Sequence, residues 1–256
     1  MATTQTVSAK ANIYNPQDNQ TDERYKEYVQ NTTTSPRKIF ICEDTKHKTV
    51  DLWRHFFRLA NLPPDIIIDH SGGCDNDEVE ISIRHTQKSH PAYKPIIFRQ
   101  YDRDGLTVEQ VEAVTKSREN KWSKISSKYK VSFLPVAEIE NFALISENNN
   151  IDISNVGDDD EFMVGVEDKC LKFASIFKNQ PEEVLFSGHN YHKQKILIKM
   201  RNEAISNPTY YFPGKKFIGA NNGINILLKL KNYTSLPKEL KNYLDSIKNF
   251  FEDRAA

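Results

Sequence analysis

Cysteine is scarce in this chain. Cys42, Cys74 and Cys170 are the only three in 256 residues. They are odd in number, far apart and without a CxxC pair, which excludes a disulfide framework and a zinc site built on cysteine. They read as reduced thiols, and a cytoplasmic protein is the expectation. Net charge is missing as well: 35 basic residues balance 35 acidic ones. A balanced chain has no global pull toward a polyanion, so any nucleic-acid face must segregate its basic residues or borrow the field of a partner. No apolar run approaches the ~18–20 residues that span a bilayer. The opening MATTQTVSAKANIYNPQDNQ has no apolar core of a signal peptide. No repeat recurs at a solenoid period. Ser71-Gly72-Gly73-Cys74 is glycine-rich but lacks the Lys-Ser/Thr of a P-loop. His189 and His192 are not at the i, i+4 spacing of a helical zinc pair and are expected at the surface.

What is present is a globular pattern. Hydrophobic residues make up 38% of the chain, enough to bury a core. Residues 1–36 are polar and read as a loosely attached arm, closed by Ser35-Pro36. Residues 37–146 alternate short apolar runs with amphipathic stretches. Lys38–Cys42, Asp65–Ile68, Pro95–Tyr101 and Lys130–Leu134 are the expected strands. Helices are expected over 47–61, from the cap at Thr107 to about Lys124, and from about Ala137. Thr107-x-x-Gln110 has the form of a capping box. Residues 76–84 fit a helix or a strand. The alternation defines an α/β fold, a parallel sheet with helices on its faces. Residues 147–256 form an additional helical region: a polar excursion at 147–160, then helices at 161–178, 190–206, 215–231 and 237–252.

In an open parallel sheet, ligands bind beyond the carboxyl ends of the strands. Three of those ends carry acids. Glu43-Asp44 follows the first strand, Asp102-x-Asp104 the third, and Glu138 and Glu140 follow Pro135 after the fourth. Singly, each has an ordinary explanation as a helix cap, a turn or a solvated first turn. Together they bring carboxylates to one edge, where they repel unless a cation lies between them. An all-oxygen set favours Mg²⁺ or Mn²⁺, and such a site usually acts on phosphate esters. Pro213-Gly214-Lys215-Lys216 is a turn that offers a lysine to a phosphate. Tyr210, Tyr211 and Phe212 precede it, suited either to stacking unpaired bases or, more ordinarily, to packing the helices on the sheet. The run Lys116, Arg118, Lys121, Lys124, Lys128, Lys130 fits a phosphate track or a solvated helix face.

Four segments together resemble the TOPRIM fold, and within it the nucleases of OLD-type and PARIS-type anti-phage systems. They are Ile39-Phe40-Ile41-Cys42-Glu43, Tyr101-Asp102-Arg103-Asp104, the stretch from Leu134 through Glu138-Ile139-Glu140-Asn141 to Phe142, and Pro213-Gly214-Lys215. The resemblance implies catalytic roles for Glu43 and Lys215 and metal ligation by Asp102, Asp104, Glu138 and Glu140; the basic turn and the aromatics before it add Lys216 and Tyr211 as expected substrate contacts. It implies a Mg²⁺ (or Mn²⁺) nuclease acting on RNA such as tRNA, or on DNA. It also implies restraint by a separate OLD-type ATPase subunit, since this chain has no Walker motif, and a homodimer on release. The first motif departs from the family's Glu-Gly-x-x-Asp: here it reads Glu43-Asp44-Thr45-Lys46-His47. That departure keeps a second reading open, a TOPRIM-fold adaptor with little or no catalysis.

Overall fold

The structure, a computed structural model, describes residues 37–44, 47–148, 160–185 and 190–252. The N-terminal arm, nearly all of the polar excursion, His189, and the side chains of His47 and His192 lie outside the described residues.

Four parallel strands form the sheet: β1 (Lys38–Cys42), β2 (Ile66–His70), β3 (Ile96–Tyr101) and β4 (Lys128–Phe133), in the order β2-β1-β3-β4. β1 is central, and Lys38 sits opposite both Ile66 and Ile96. Its residues Ile39 through Cys42 are completely buried. A central parallel strand covered on both faces is apolar throughout rather than alternating, which is why this run reads as KIFIC. The two faces still separate by parity. Phe40 and Phe98 look toward Trp53, Phe56 and Phe57 of α1 (His47–Leu59) and Tyr243, Leu244, Phe250 and Phe251 of the C-terminal helix. Ile39, Ile41 and Ile97 look toward Val79 and Ile83 of α2 (Glu78–Ser89) and Trp122 at the end of α3 (Val108–Trp122).

The segment left open between helix and strand is therefore a helix, α2, with Glu78 and Glu80 in its first turn. Thr107 caps α3 with the full reciprocal box: the Gln110 N–H donates to Thr107 Oγ1 at 3.3 Å, and the Thr107 N–H donates to Gln110 Oε1 at 3.0 Å. The helix expected from Ala137 begins four residues later, as α4 (Asn141–Ser146).

The helical region continues with α5 (Asp160–Lys172), α6 (Ala174–Phe177), α7 (Asn190–Ser206), α8 (Pro208–Tyr211), α9 (Gly214–Ile218), α10 (Ala220–Leu228) and α11 (Lys238–Glu252). Two expected helices are each broken in two. The first breaks at Phe173, whose side chain is drawn fully into the core. The second breaks at Gly219, whose φ of +74° no continuing helix accommodates. Val166, Cys170 and Phe173 join Met200, Phe212, Leu106 and Val114 in a second apolar cluster beside the β3–β4 end of the sheet. That cluster sets α5 against the carboxyl ends of the strands. No described helix is long and apolar enough to cross a membrane.

Candidate metal centre

Because the strands are parallel and in register, Cys42, Tyr101 and Phe133 end at the same edge of the sheet. The residues that follow them meet there. Gln100 laces the first two ends together: its Oε1 accepts from the Glu43 N–H at 3.2 Å and its Nε2 donates to Asp102 Oδ1 at 3.0 Å. The Asp102 N–H donates to Glu43 Oε2 at 2.8 Å. Asp104 adopts a left-handed φ of +46°, followed by Gly105 at +76°. Aspartate tolerates that region better than most side chains. The turn aims the Asp104 N–H at the Ala137 carbonyl, 3.0 Å away, and so ties the third strand end to the fourth.

Into this edge comes Lys169 of α5, a residue with no part in the sequence reading. Its Nζ lies 2.9 and 2.8 Å from Glu43 Oε1 and Oε2, 2.8 Å from Asp104 Oδ2 and 2.8 Å from the Asp102 carbonyl oxygen. Four oxygens thus surround one buried positive charge. Glu43 and Asp104 share this point directly, whereas Asp102 gives it a backbone oxygen and turns its carboxylate to Gln100. Burial pushes the Glu43 carboxyl up, opposed by Lys169 and reinforced by Asp104. Burial also raises Asp102, with Glu43 adding to it. For Lys169 burial works against the charge, but Asp104, Glu43 and Asp102 outweigh it and raise the ammonium well above its ordinary value.

The second half of the site is organised by Asn141. Its Oδ1 accepts from the Glu138 N–H at 2.9 Å and from the Gly214 N–H at 3.2 Å. Its Nδ2 donates to the carbonyls of Thr209 and Phe212, both at 2.8 Å. One amide therefore fixes the turn after β4 to the segment before Lys215, and explains why the helix after Pro135 starts late. Gly214 is required by contact: a Cβ there would lie 2.7 Å from the Asn141 nitrogen. The Lys215 N–H donates to Glu138 Oε2 at 2.9 Å, and Lys215 Nζ lies 3.4 Å from Glu138 Oε1. Burial raises the Glu138 carboxyl, with Lys215 opposing. Lys215 is raised well above its ordinary value despite burial, held by Asp102, Glu138 and Glu140.

Glu140 is the anomaly. It is fully buried, and neither carboxylate oxygen has a hydrogen-bond partner among the described residues. Its side chain fits only because position 223 is glycine, where a Cβ would come within 2.8 Å of Glu140 Cγ. Burial pushes its carboxyl up to about 7; Lys215 opposes the shift, and Glu138 and Asp44 add to it. Five carboxyl groups (Glu43, Asp102, Asp104, Glu138, Glu140) thus gather around two lysines. Buried acids are ordinarily matched. A surplus is relieved by protons or by a further cation.

A cleft of about 300 Å³ opens onto this cluster, lined by Asp104, Glu138, Val166, Pro213, Lys215 and Lys216. Lys216 is exposed at its rim. Tyr211 is half-buried, with the Arg103 guanidinium 4.5 Å over its ring, so one face is already covered. Phe212 is buried and Tyr210 donates its hydroxyl to Glu239; these aromatics pack the helices. The basic run of 116–130 does not form one track. Arg118 is buried and, with Lys121, pairs with Asp77, while Lys128 donates to the Phe250 carbonyl.

Among the described residues, no three His, Cys, Asp or Glu side chains converge as a metal-binding group. Lys169 holds the point where Glu43 and Asp104 meet. The donor set fits a hard divalent ion all the same: it is entirely oxygen and it already encloses a cation, and on the Lys215 side Glu140 is buried with no hydrogen-bond partner among the described residues. No protein-family model, curated protein or solved structure matches this chain.

Proposed function

We propose that this chain is a TOPRIM-like nuclease dependent on Mg²⁺ or Mn²⁺. In this reading it is the effector of an anti-phage defence system, cuts phosphodiesters of RNA such as tRNA or of DNA, and is held and released by a separate OLD-type ATPase subunit. One observation carries the chemistry: Glu43 after β1 and Asp104 after β3, with the Asp102 carbonyl, surround a single cation position beside an open cleft that Glu138 also lines. Glu43 and Asp104, with the Asp102 carbonyl, would hold one ion, and Glu138 and Glu140 would hold a second. When bound, such ions neutralise phosphate charge and activate water. The chain's own contribution is positioning. Gln100 and Asn141 fix the carboxylates, and the Lys215 ammonium, partly exposed at the cleft, meets the charge that develops on a phosphate oxygen. Restraint by an ATPase and dimerisation on release rest on the family resemblance and on the zero net charge, which gives the chain no strong reach of its own for nucleic acid.

A second reading is favoured by Lys169 itself. A buried lysine that satisfies Glu43 and Asp104 is what a metal-free adaptor would keep. The two part in one assay, incubation of the chain with mixed RNA and plasmid DNA in Mg²⁺ or Mn²⁺, with and without EDTA. EDTA-sensitive cutting supports the nuclease, and no cutting of either substrate after removal of any bound partner supports the adaptor. In the nuclease, Lys215→Ala lowers turnover more than substrate affinity.

A further inference from the structure

The four oxygens around Lys169 lie at 2.8–2.9 Å, the spacing of ammonium hydrogen bonds. A lysine has three N–H donors for these four acceptors, so the nest is richer in oxygen than the ammonium needs. Mg²⁺ takes oxygens at ~2.1 Å. The same nest would have to close by several tenths of an ångström around an ion, and two cations do not share so small a space. On the Lys215 side of the site, Glu140 is buried and has no hydrogen-bond partner among the described residues, a separate sign that the five acids are short of positive charge. Lys169 sits on the buried stripe of α5, between Val166 and Phe173. It also has somewhere to go, because the cleft runs along Gly165 and Val166 past Asp104. A Cβ added at Gly165 would meet nothing within 4 Å among the described residues.

We propose that Lys169 is a tethered stand-in for a divalent ion: ammonium and metal are alternative occupants of one position, and metal loading turns Lys169 out into the cleft. The inference rests on the metal-centre reading above but not on nuclease activity. It makes the closed, metal-free form the stable resting state, with metal affinity reduced by the need to expel the lysine. An event that loosens α5 would arm the site without touching its ligands.

The test is Mn²⁺ binding by calorimetry on the full chain, wild type against Lys169→Met, with Lys169 acetylation by an amine-reactive reagent followed by mass spectrometry. Lys169→Met should bind Mn²⁺ at least tenfold more tightly, and its melting temperature, lowered in EDTA, should recover on Mn²⁺ addition. In wild type, Lys169 should be protected in EDTA and acetylated at least tenfold faster in saturating Mn²⁺, a readout that needs no variant to fold. Equal affinities, or Mn²⁺ bound with Lys169 still protected, would overturn the proposal. So would Mn²⁺ binding to neither protein. Tighter binding by Lys169→Met without strand cutting keeps the proposal and removes the nuclease. Cutting by wild type with Lys169 protected does the reverse.

Discussion

Two networks of buried charge lie on this sheet, and they are built on opposite plans. Behind the sheet, Arg99 of β3 is completely buried, 3.6 Å from Glu80 of α2, which also accepts from the Tyr129 hydroxyl at 2.9 Å. Arg99 donates to the Asn76 carbonyl, and close by Asp77 is gripped by Arg118 and Lys121. Here two acids face three cations. At the carboxyl edge, five acids face two lysines, and Glu140 has no hydrogen-bond donor among the described residues. Buried ionic groups survive when each charge finds a partner. In the first network each charge faces an opposite one, although Arg99 Nε and Nη1, Glu80 Oε2 and Arg118 Nε have no hydrogen-bond partner among the described residues, and it joins α2, α3, β3 and β4. In the second the acids outnumber the lysines, beside a cleft that Asp104, Glu138 and Lys215 line.

The comparison can be broken by removing a partner from the balanced side. Arg99→Met strands Glu80 and should cost about 3–5 kcal/mol in urea unfolding, with no recovery on adding Mn²⁺. Recovery there would show that the two networks are not separate. Asn141→Ala should cost about 3 kcal/mol, because it removes four hydrogen bonds at once, from the Glu138 and Gly214 N–H groups and to the Thr209 and Phe212 carbonyls. It should also weaken Mn²⁺ binding on the Glu138 side of the site, since Glu138 and Lys215 lose their common anchor, while leaving the Glu43–Asp104 position in place.

The acidic side can be sharpened by pH. Glu140 is raised from an ordinary 4.5 to about 7. The folded chain therefore holds this proton where the unfolded chain has released it, and stability must fall as pH rises through that window. Glu140→Gln keeps the shape and removes the ionisation. The variant should gain on wild type by on the order of 2 kcal/mol between about pH 5 and about pH 7, measured as unfolding free energy in EDTA. A constant difference across that range would contradict the burial argument. The smallest effect belongs to a residue that carries no charge in either network: Thr107→Ala should cost about 1 kcal/mol by loss of the α3 cap, at any pH.

The strands were legible because each is a short apolar run with a turn or proline beyond it, and the capping box at Thr107 announced α3. The acids at Glu43, Asp102 and Asp104 were legible because parallel strands send their ends to one edge. Lys169 was not, since a lysine on an amphipathic helix ordinarily faces water. A signal did exist. Val166, Lys169, Cys170 and Phe173 fall at i, i+3, i+4 and i+7, which puts the lysine on the apolar stripe. Asn141 was quoted for its place in a motif, yet its clamp joins residues about 70 positions apart, and spacing in the chain carries no trace of that. Arg118 looked like one of six basic residues in a solvated run, because its partner Asp77 comes from a turn 41 residues earlier.

The most direct trial of the central claim is strand cutting by wild type, Glu43→Gln and Asp104→Asn, each freed of partner proteins and given mixed RNA and plasmid DNA with Mn²⁺. The account expects cutting by wild type that EDTA stops. It expects no cutting by either variant, while both remain folded by circular dichroism. Cutting that survives EDTA, or that survives both substitutions, would contradict it.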